Sequence, residues 1–74
     1  MMHGEHIQML NEWFEEHEDY GTYHVEDEYA VRVGDMRDFR DLIAEMTDLI
    51  YLPCRFGTEG IFFTTEDLNN AKYY

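Results

Sequence analysis

The acidic residues of this chain are concentrated in a half that has no basic residue to balance them. Between Met1 and Val31 the sequence contains nine Asp or Glu residues and neither Lys nor Arg. Clustered like charges repel one another and resist burial, so each element of this half has to hold its acids in solvent. Over the whole chain, 17 acidic side chains face five basic ones, and the formal charge is -12. The sequence therefore predicts a fold with a strongly negative surface.

The length and composition favour one small folded domain. Of the 74 residues, 45% are hydrophobic and 16% are aromatic, whereas disordered acidic segments contain few aromatic residues. A chain of this length lies near the lower limit at which one hydrophobic core can hold a fold together. We therefore expect a single domain that spans residues 1–74.

The sequence also indicates a compartment. Cys54 is the only cysteine, so no disulfide can form within the chain, and a reducing cytoplasm fits this best. The N-terminal residues do not form a basic stretch followed by an apolar run, and no segment approaches the roughly 18 apolar residues of a membrane span. We expect a soluble, cytoplasmic protein that does not bind membranes.

Hydrophobic periodicity predicts the elements of the first half. Ile7, Leu10 and Phe14 recur at helical spacing and predict a helix within residues 2–18. The segments 22–25 and 29–33 are rich in β-branched and aromatic residues and predict a hairpin, with Tyr29, Val31 and Val33 on the core side. The three acids between these strands are expected to form an exposed tip.

The second half predicts a longer helix followed by another hairpin. Asp35 is a candidate N-cap for a helix over 35–50. Its apolar stripe consists of Phe39, Leu42, Ile43, Met46, Leu49 and Ile50. The segments 51–56 and 61–64 predict two strands, and Pro53 indicates that the first lies at an edge or begins after it. With a short helix over 66–72, the prediction is an α+β fold, α-β-β-α-β-β-α, with helices packed on an antiparallel sheet.

Four carboxylates fall on one side of the predicted second helix. Asp38, Asp41, Glu45 and Asp48 follow one another at steps of three, four and three residues. With a rise of about 1.5 Å per residue the steps are roughly 5 Å long, which is on the scale of the spacing between phosphates along a nucleic-acid strand. Arg37 and Arg40 lie around the far side of that helix. The simpler alternative is an ordinary solvated helix face.

Eight further carboxylates are the other candidates for binding a partner. They occupy the end of the first predicted helix and the hairpin tip, with no basic residue among them. They are Glu12, Glu15, Glu16, Glu18, Asp19, Glu26, Asp27 and Glu28. The alternative is an acidic coat that keeps the protein hydrated at high salt.

The sequence does not contain a convincing catalytic, cofactor or metal motif. His3 and His6 have a spacing at which two imidazoles can share one metal on a helix. They have no evident third ligand, however, and are expected to be surface residues. Arg55 next to Cys54 could favour a thiolate, but the apolar surroundings favour a structural thiol. With no serine and no glycine-rich phosphate loop, we predict no catalytic residue, no cofactor and no enzyme.

In size, charge and expected fold, the chain resembles the small acidic inhibitors of phages and other mobile elements. These include DNA-mimic proteins and anti-CRISPR proteins. The resemblance is to a type of protein and rests on no sequence motif. It implies a monomer or small homo-oligomer that binds no nucleic acid itself. Such a protein would block the basic DNA- or RNA-binding channel of a host protein or ribonucleoprotein complex.

A second interpretation is an interaction or regulatory module that binds a basic partner without imitating nucleic acid. The sequence has six tyrosines, five phenylalanines and one tryptophan, and aromatic residues are enriched at protein interfaces. Tyr20, Tyr23, Tyr73 and Tyr74 are the candidates for surface positions. Such a module would use an aromatic surface or the edge of a sheet.

Overall fold

The structure, a computed structural model, describes residues 3–74 and has an α+β architecture. Its helices in this range are α1 (Gly4–His17), α2 (Met36–Glu45) and α3 (Thr65–Asn69). A four-stranded antiparallel sheet has the order β1-β2-β5-β4 and consists of β1 (Tyr23–Val25), β2 (Glu28–Arg32), β4 (Arg55–Gly57) and β5 (Gly60–Thr64). A separate pair consists of β3 (Leu49–Tyr51) and β6 (Lys72–Tyr73). The predicted fold class is confirmed.

The core lies between the central strands and the helices. In β2 and β5, Tyr29 pairs with Phe63 and Val31 with Ile61, so alternate side chains of both strands enter the same core. The rings of Tyr29 and Phe63 stack at 4.8 Å, and Phe14 of α1 packs edge-on against Tyr29 at 5.2 Å. No helix in residues 3–74 has the length and apolar character needed to cross a membrane.

A partly buried polar node joins the segment after α1, the first hairpin and the start of α2. The Thr22 hydroxyl donates to Asp35 Oδ2 at 2.7 Å and accepts from the backbone N–H of Arg32 at 3.0 Å. Arg32 donates from Nε to the same Asp35 oxygen at 3.0 Å and pairs with Asp19 at 3.1 Å. Asp35 precedes α2 as predicted, but its side chain serves this node and does not cap the helix.

The predicted second helix is too long. It ends at Glu45, and 49–51 form strand β3, which pairs with β6 near the end of the chain. Met46 is 1% exposed and its carbonyl accepts from the N–H of Leu49 at 2.9 Å, which turns the chain out of the helix. Ile50, which we placed on the apolar stripe, is 57% exposed. Strand pairing with distant residues therefore overrides the local periodicity.

Other boundaries are also corrected. Val33 does not extend the core face of β2, because it begins a 3₁₀ turn (Val33–Asp35) and is exposed. The last helix, predicted over 66–72, ends at Asn69, and Lys72 belongs to β6. Strand β4 begins after Pro53 and lies at the edge of the sheet, as predicted.

An acidic groove as the candidate functional site

A shallow groove of about 290 Å³ lies between α1 and α2, so acids of both helices line one surface. We call it the acidic groove. Its carboxylates come from both helices and are exposed. It is lined by Glu12 and Glu16 of α1, Asp38, Asp41 and Glu45 of α2, and the apolar side chains Met9, Trp13 and Leu42. Five of the twelve predicted binding residues therefore share one surface.

Helical spacing explains how the groove combines an apolar floor with acidic walls. Trp13 and Leu42 are 8% and 9% exposed and pack into the core, where Trp13 meets Phe39 edge-on at 5.3 Å. Glu12 and Glu16 are four residues apart and therefore lie one turn apart on the same side of α1. The acids of α2 follow the same rule on the facing helix. The groove thus presents carboxylates on both sides of a buried aromatic ring.

Within the described part of the chain, no Lys or Arg lines the acidic groove. Gln8 donates from Nε2 to Glu12 Oε1 at 3.2 Å, which leaves the negative charge in place. At one end, His17 stacks on Trp13 at 4.1 Å and its Nδ1 lies 2.9 Å from the Trp13 carbonyl oxygen. A hydrogen on Nδ1 satisfies that contact, so Nε2, 3.6 Å from Asp38, attracts the carboxylate only when the imidazole is protonated.

The cations of α2 lie next to the acidic groove. Arg37 and Arg40 line a separate depression together with Asp41 and Ala44. Among residues 3–74, no carboxylate lies within ion-pair distance of either guanidinium. Because Asp41 lines both depressions, the two arginines border the acidic groove, although neither is paired with its carboxylates.

The remaining predicted acids of the first half lie outside the groove. Glu15 and Glu18 line a different depression on α1, next to His24. Asp19 is held by Arg32 in the polar node. The exposed tip residues 26–28 lie beside the start of α3, because the Thr65 N–H donates to the Asp27 carbonyl at 3.0 Å.

Asp48 does not belong to the predicted row of carboxylates. It follows the end of α2, where its two oxygens lie 3.3 Å from His3 Nδ1 and 3.4 Å from His6 Nε2. His6, predicted to be a surface residue, is 6% exposed. Sequence reasoning missed this cluster because Asp48 was assigned to a helix that ends before it.

Sequence reasoning also missed an apolar groove on the other side of α2, of about 660 Å³. Its walls come from α2, from the 52–54 segment and from strands β4 and β5. It is lined by Met36, Phe39, Arg40, Ile43, Ala44, Leu52, Cys54, Phe56 and Ile61. Phe56 lies on the edge strand β4 with 81% of its surface exposed. The run of apolar and aromatic residues around Pro53 was a signal for this feature.

Cys54 behaves as a structural thiol. Burial, with a further contribution from the charge of Asp67, raises the pKa of Cys54, which disfavours the thiolate. Its neighbour Arg55 pairs with Asp67 at 3.1 Å. Of the four tyrosines predicted at the surface, Tyr20 and Tyr74 are more than nine-tenths exposed, while Tyr23 and Tyr73 are partly buried.

No protein-family model, curated protein or solved structure matches the chain. The geometry and charge of its surfaces are therefore what bears on its function.

Proposed function

We propose that the protein is an acidic inhibitor that imitates nucleic acid and blocks the basic DNA- or RNA-binding channel of a host complex. The observation that carries this proposal is the acidic groove, where five carboxylates from two helices line one surface without a Lys or Arg among the described residues. The protein acts by binding, not by catalysis, and in the cytoplasm, where such complexes operate. Anti-defence proteins such as anti-CRISPR proteins are the proposed class.

The spacing of the carboxylates supports imitation of a phosphate backbone. At about 1.5 Å per residue, Asp38, Asp41 and Glu45 are separated by roughly 4.5 and 6 Å along α2. These steps are on the few-ångström scale of a nucleic-acid strand. Glu12 and Glu16 add a second row across the groove. A Lys- or Arg-lined channel can pair with both rows at once.

The energetics favour a partner that is itself basic. Exposed like charges four residues apart on a helix destabilise it by about 0.2–0.5 kcal/mol per pair, and both walls of the groove contain such a pair. A basic channel removes this repulsion on binding and attracts the groove over a distance. Encounter is then fast at low salt and slower when salt screens the charges.

Competition between this protein and nucleic acid for one nucleic-acid-binding complex tests the proposal. The groove variant carries Glu16→Gln, Asp41→Asn and Glu45→Gln. Its matched control changes the same residue types at the hairpin tip and loses the same charge: Glu26→Gln, Asp27→Asn and Glu28→Gln. We expect the groove variant to inhibit at least about tenfold less well at low salt, because it loses three charge pairs with the channel.

The tip variant is expected to retain most of the inhibition. Equal losses in the two variants would show that only net charge matters and would remove the acidic groove from the mechanism. Undiminished inhibition by both, with no response to salt, would reject imitation of nucleic acid altogether.

The second candidate, a module that binds its partner without imitating nucleic acid, is favoured by the apolar groove. Exposed Phe56 and partly exposed Leu52 border it, and the adjacent strand β4 offers a free sheet edge. Substitution of Phe56 by Ser would abolish binding by such a module and leave an acidic inhibitor unaffected. The same competition assay therefore separates the two functions.

A further inference from the structure

We propose that His3, His6 and Asp48 form a binding site for a divalent transition metal, with Zn²⁺ as the ion that the donor set fits. One ligand atom from each residue lies within 4.8 Å of the other two. Two imidazole nitrogens and one carboxylate oxygen are donors that zinc prefers. The site lies outside the acidic groove and does not depend on the function proposed for that groove.

The cluster is more open than a closed tetrahedral zinc site. Zinc bonds of about 2.0–2.2 Å place neighbouring tetrahedral ligands roughly 3.3–3.5 Å apart. Asp48 Oδ2 lies 3.3 Å from His3 Nδ1, and the other oxygen, Oδ1, lies 3.4 Å from His6 Nε2. With one ligand atom taken from each residue, the three atoms lie within 4.8 Å of one another. The side chains of His3 and Asp48 are 50% and 39% exposed, so small rotations of these two bring the three ligand atoms onto one ion.

Burial fixes the position of the His6 imidazole, and stacking aligns the neighbouring rings. The His6 side chain is 8% exposed and lies on the first turn of α1. The rings of His3 and Tyr73 stack at 4.2 Å, and the His3 and His6 rings lie 5.3 Å apart and nearly parallel. The two histidines are therefore held on one side of the helix start. The sequence alone did not predict this arrangement of the two histidines.

Tyr73 provides the outer hydrogen bonds that a zinc-binding histidine requires. Its hydroxyl oxygen lies 3.1 Å from His6 Nδ1 and accepts from the backbone N–H of His3 at 3.3 Å. A hydrogen on His6 Nδ1 donates to the same oxygen, which directs the lone pair of Nε2 toward the metal. Tyr73 is thus a positioning residue and not a ligand.

Three protein ligands leave a fourth position for water or for a ligand atom from another molecule. The exposure of His3 and Asp48 keeps that position open to solvent. Because the ligands come from the start of α1 and from the segment before β3, a bound ion ties these two parts of the chain together. Metal binding should therefore stabilise the folded protein.

Calorimetric titration of untagged, chelator-treated full-length protein with ZnCl₂ tests the site. We expect one ion per chain and a rise in the unfolding temperature, whereas MgCl₂ gives neither, because Mg²⁺ prefers oxygen ligands. Asp48→Asn and His3→Ala should each weaken Zn²⁺ binding at least about tenfold. The matched control is His24→Gln, which changes a histidine outside the cluster and should bind as the unaltered chain does.

Spectroscopy of the unaltered protein tests the role of His6 without a substitution at this buried position. Co²⁺ added to the unaltered protein should give the intense visible absorption of a tetrahedral ion, and Zn²⁺ should shift the NMR signals of His3 and His6 but not of His24. Tyr73→Phe should change the tautomer of His6, seen in long-range ¹H–¹⁵N spectra. Absence of Zn²⁺ binding, or equal binding by Asp48→Asn and His3→Ala, would overturn the proposal.

Discussion

Asp35 and Asp67 lie in surroundings opposite to those of the five carboxylates in the acidic groove. Asp35 accepts from Thr22 and Arg32 in the polar node. Asp67 accepts from the N–H and hydroxyl of Thr64 and from Arg55. We call these two the anchored carboxylates. The groove acids have few such donors, so the anchored carboxylates should hold the fold while the groove acids weaken it and, under the proposed function, bind a partner.

The largest expected difference is between removing an anchored carboxylate and removing a groove carboxylate. Asp35→Ala leaves the buried hydroxyl of Thr22 and the Nε–H of Arg32 without their acceptor, and should lower the free energy of unfolding by about 2–3 kcal/mol. Asp41→Ala, the matched change in the acidic groove, should alter it by less than about 0.5 kcal/mol. Urea unfolding measures both. Equal effects of the two variants on the free energy of unfolding would contradict the distinction between anchored and groove carboxylates.

The second anchored carboxylate should show a smaller effect. Asp67→Ala removes both the capping box of α3 and the ion pair with Arg55, which should cost about 1–2 kcal/mol. The neighbouring acid Glu66, also in the first turn of α3 but exposed, is the control. Its change to Ala should cost less than about 0.5 kcal/mol. If the Glu66 variant unfolds as readily, the cap is unimportant.

A smaller effect is expected from lowering the pH. Protonation removes the charge of Asp35 but keeps its side chain, which Asp35→Ala removes. The hydrogen bond from Thr22, partly opposed by burial and supported by Arg32, lowers the pKa of Asp35 below its ordinary value of 3.8. The stability from this group is therefore complete above that ordinary value and is lost as the pH falls through the lower folded-state pKa. In urea unfolding at a series of acidic pH values, Asp35→Asn should flatten this decline. An unchanged slope would contradict the assignment.

The smallest expected effect has the opposite sign. The groove variant Glu16→Gln, Asp41→Asn, Glu45→Gln removes repulsion between acids one turn apart and should raise stability at low salt by about 0.2–0.5 kcal/mol per pair. In about 1 M salt, where charges are screened within roughly 3 Å, the gain should disappear. Thermal unfolding at two salt concentrations provides the measurement. A destabilised groove variant would mean that these acids support the fold.

Local sequence patterns predicted much of the fold because the elements they describe are amphipathic. The spacing of Leu10 and Phe14 indicated α1, and both residues are buried in it. The acidic residues between 25 and 29 indicated the exposed hairpin tip. Such predictions depend only on residues that are neighbours along the chain. Here the structure that these residues favour locally is the one found in the folded protein.

The parts of the candidate sites that were missed depend on contacts between distant residues. The sequence indicated that Glu12 and Asp38 were exposed acids, but not that α1 and α2 pack side by side and place both in one groove. Likewise, Asp48 meets His3 and His6 only because α2 stops early and β3 pairs with β6. Helical periodicity continues through that boundary and gives no sign of it.

Helix α2 has unlike charges on neighbouring surfaces, because the depression lined by Arg37 and Arg40 shares Asp41 with the acidic groove. The charge around this helix is therefore uneven, in addition to the net charge of -12. In the field of a basic surface, this uneven charge favours approach by the groove and disfavours approach by the arginines. Under the proposed function, a basic partner would therefore meet the groove more often than the arginines during encounter.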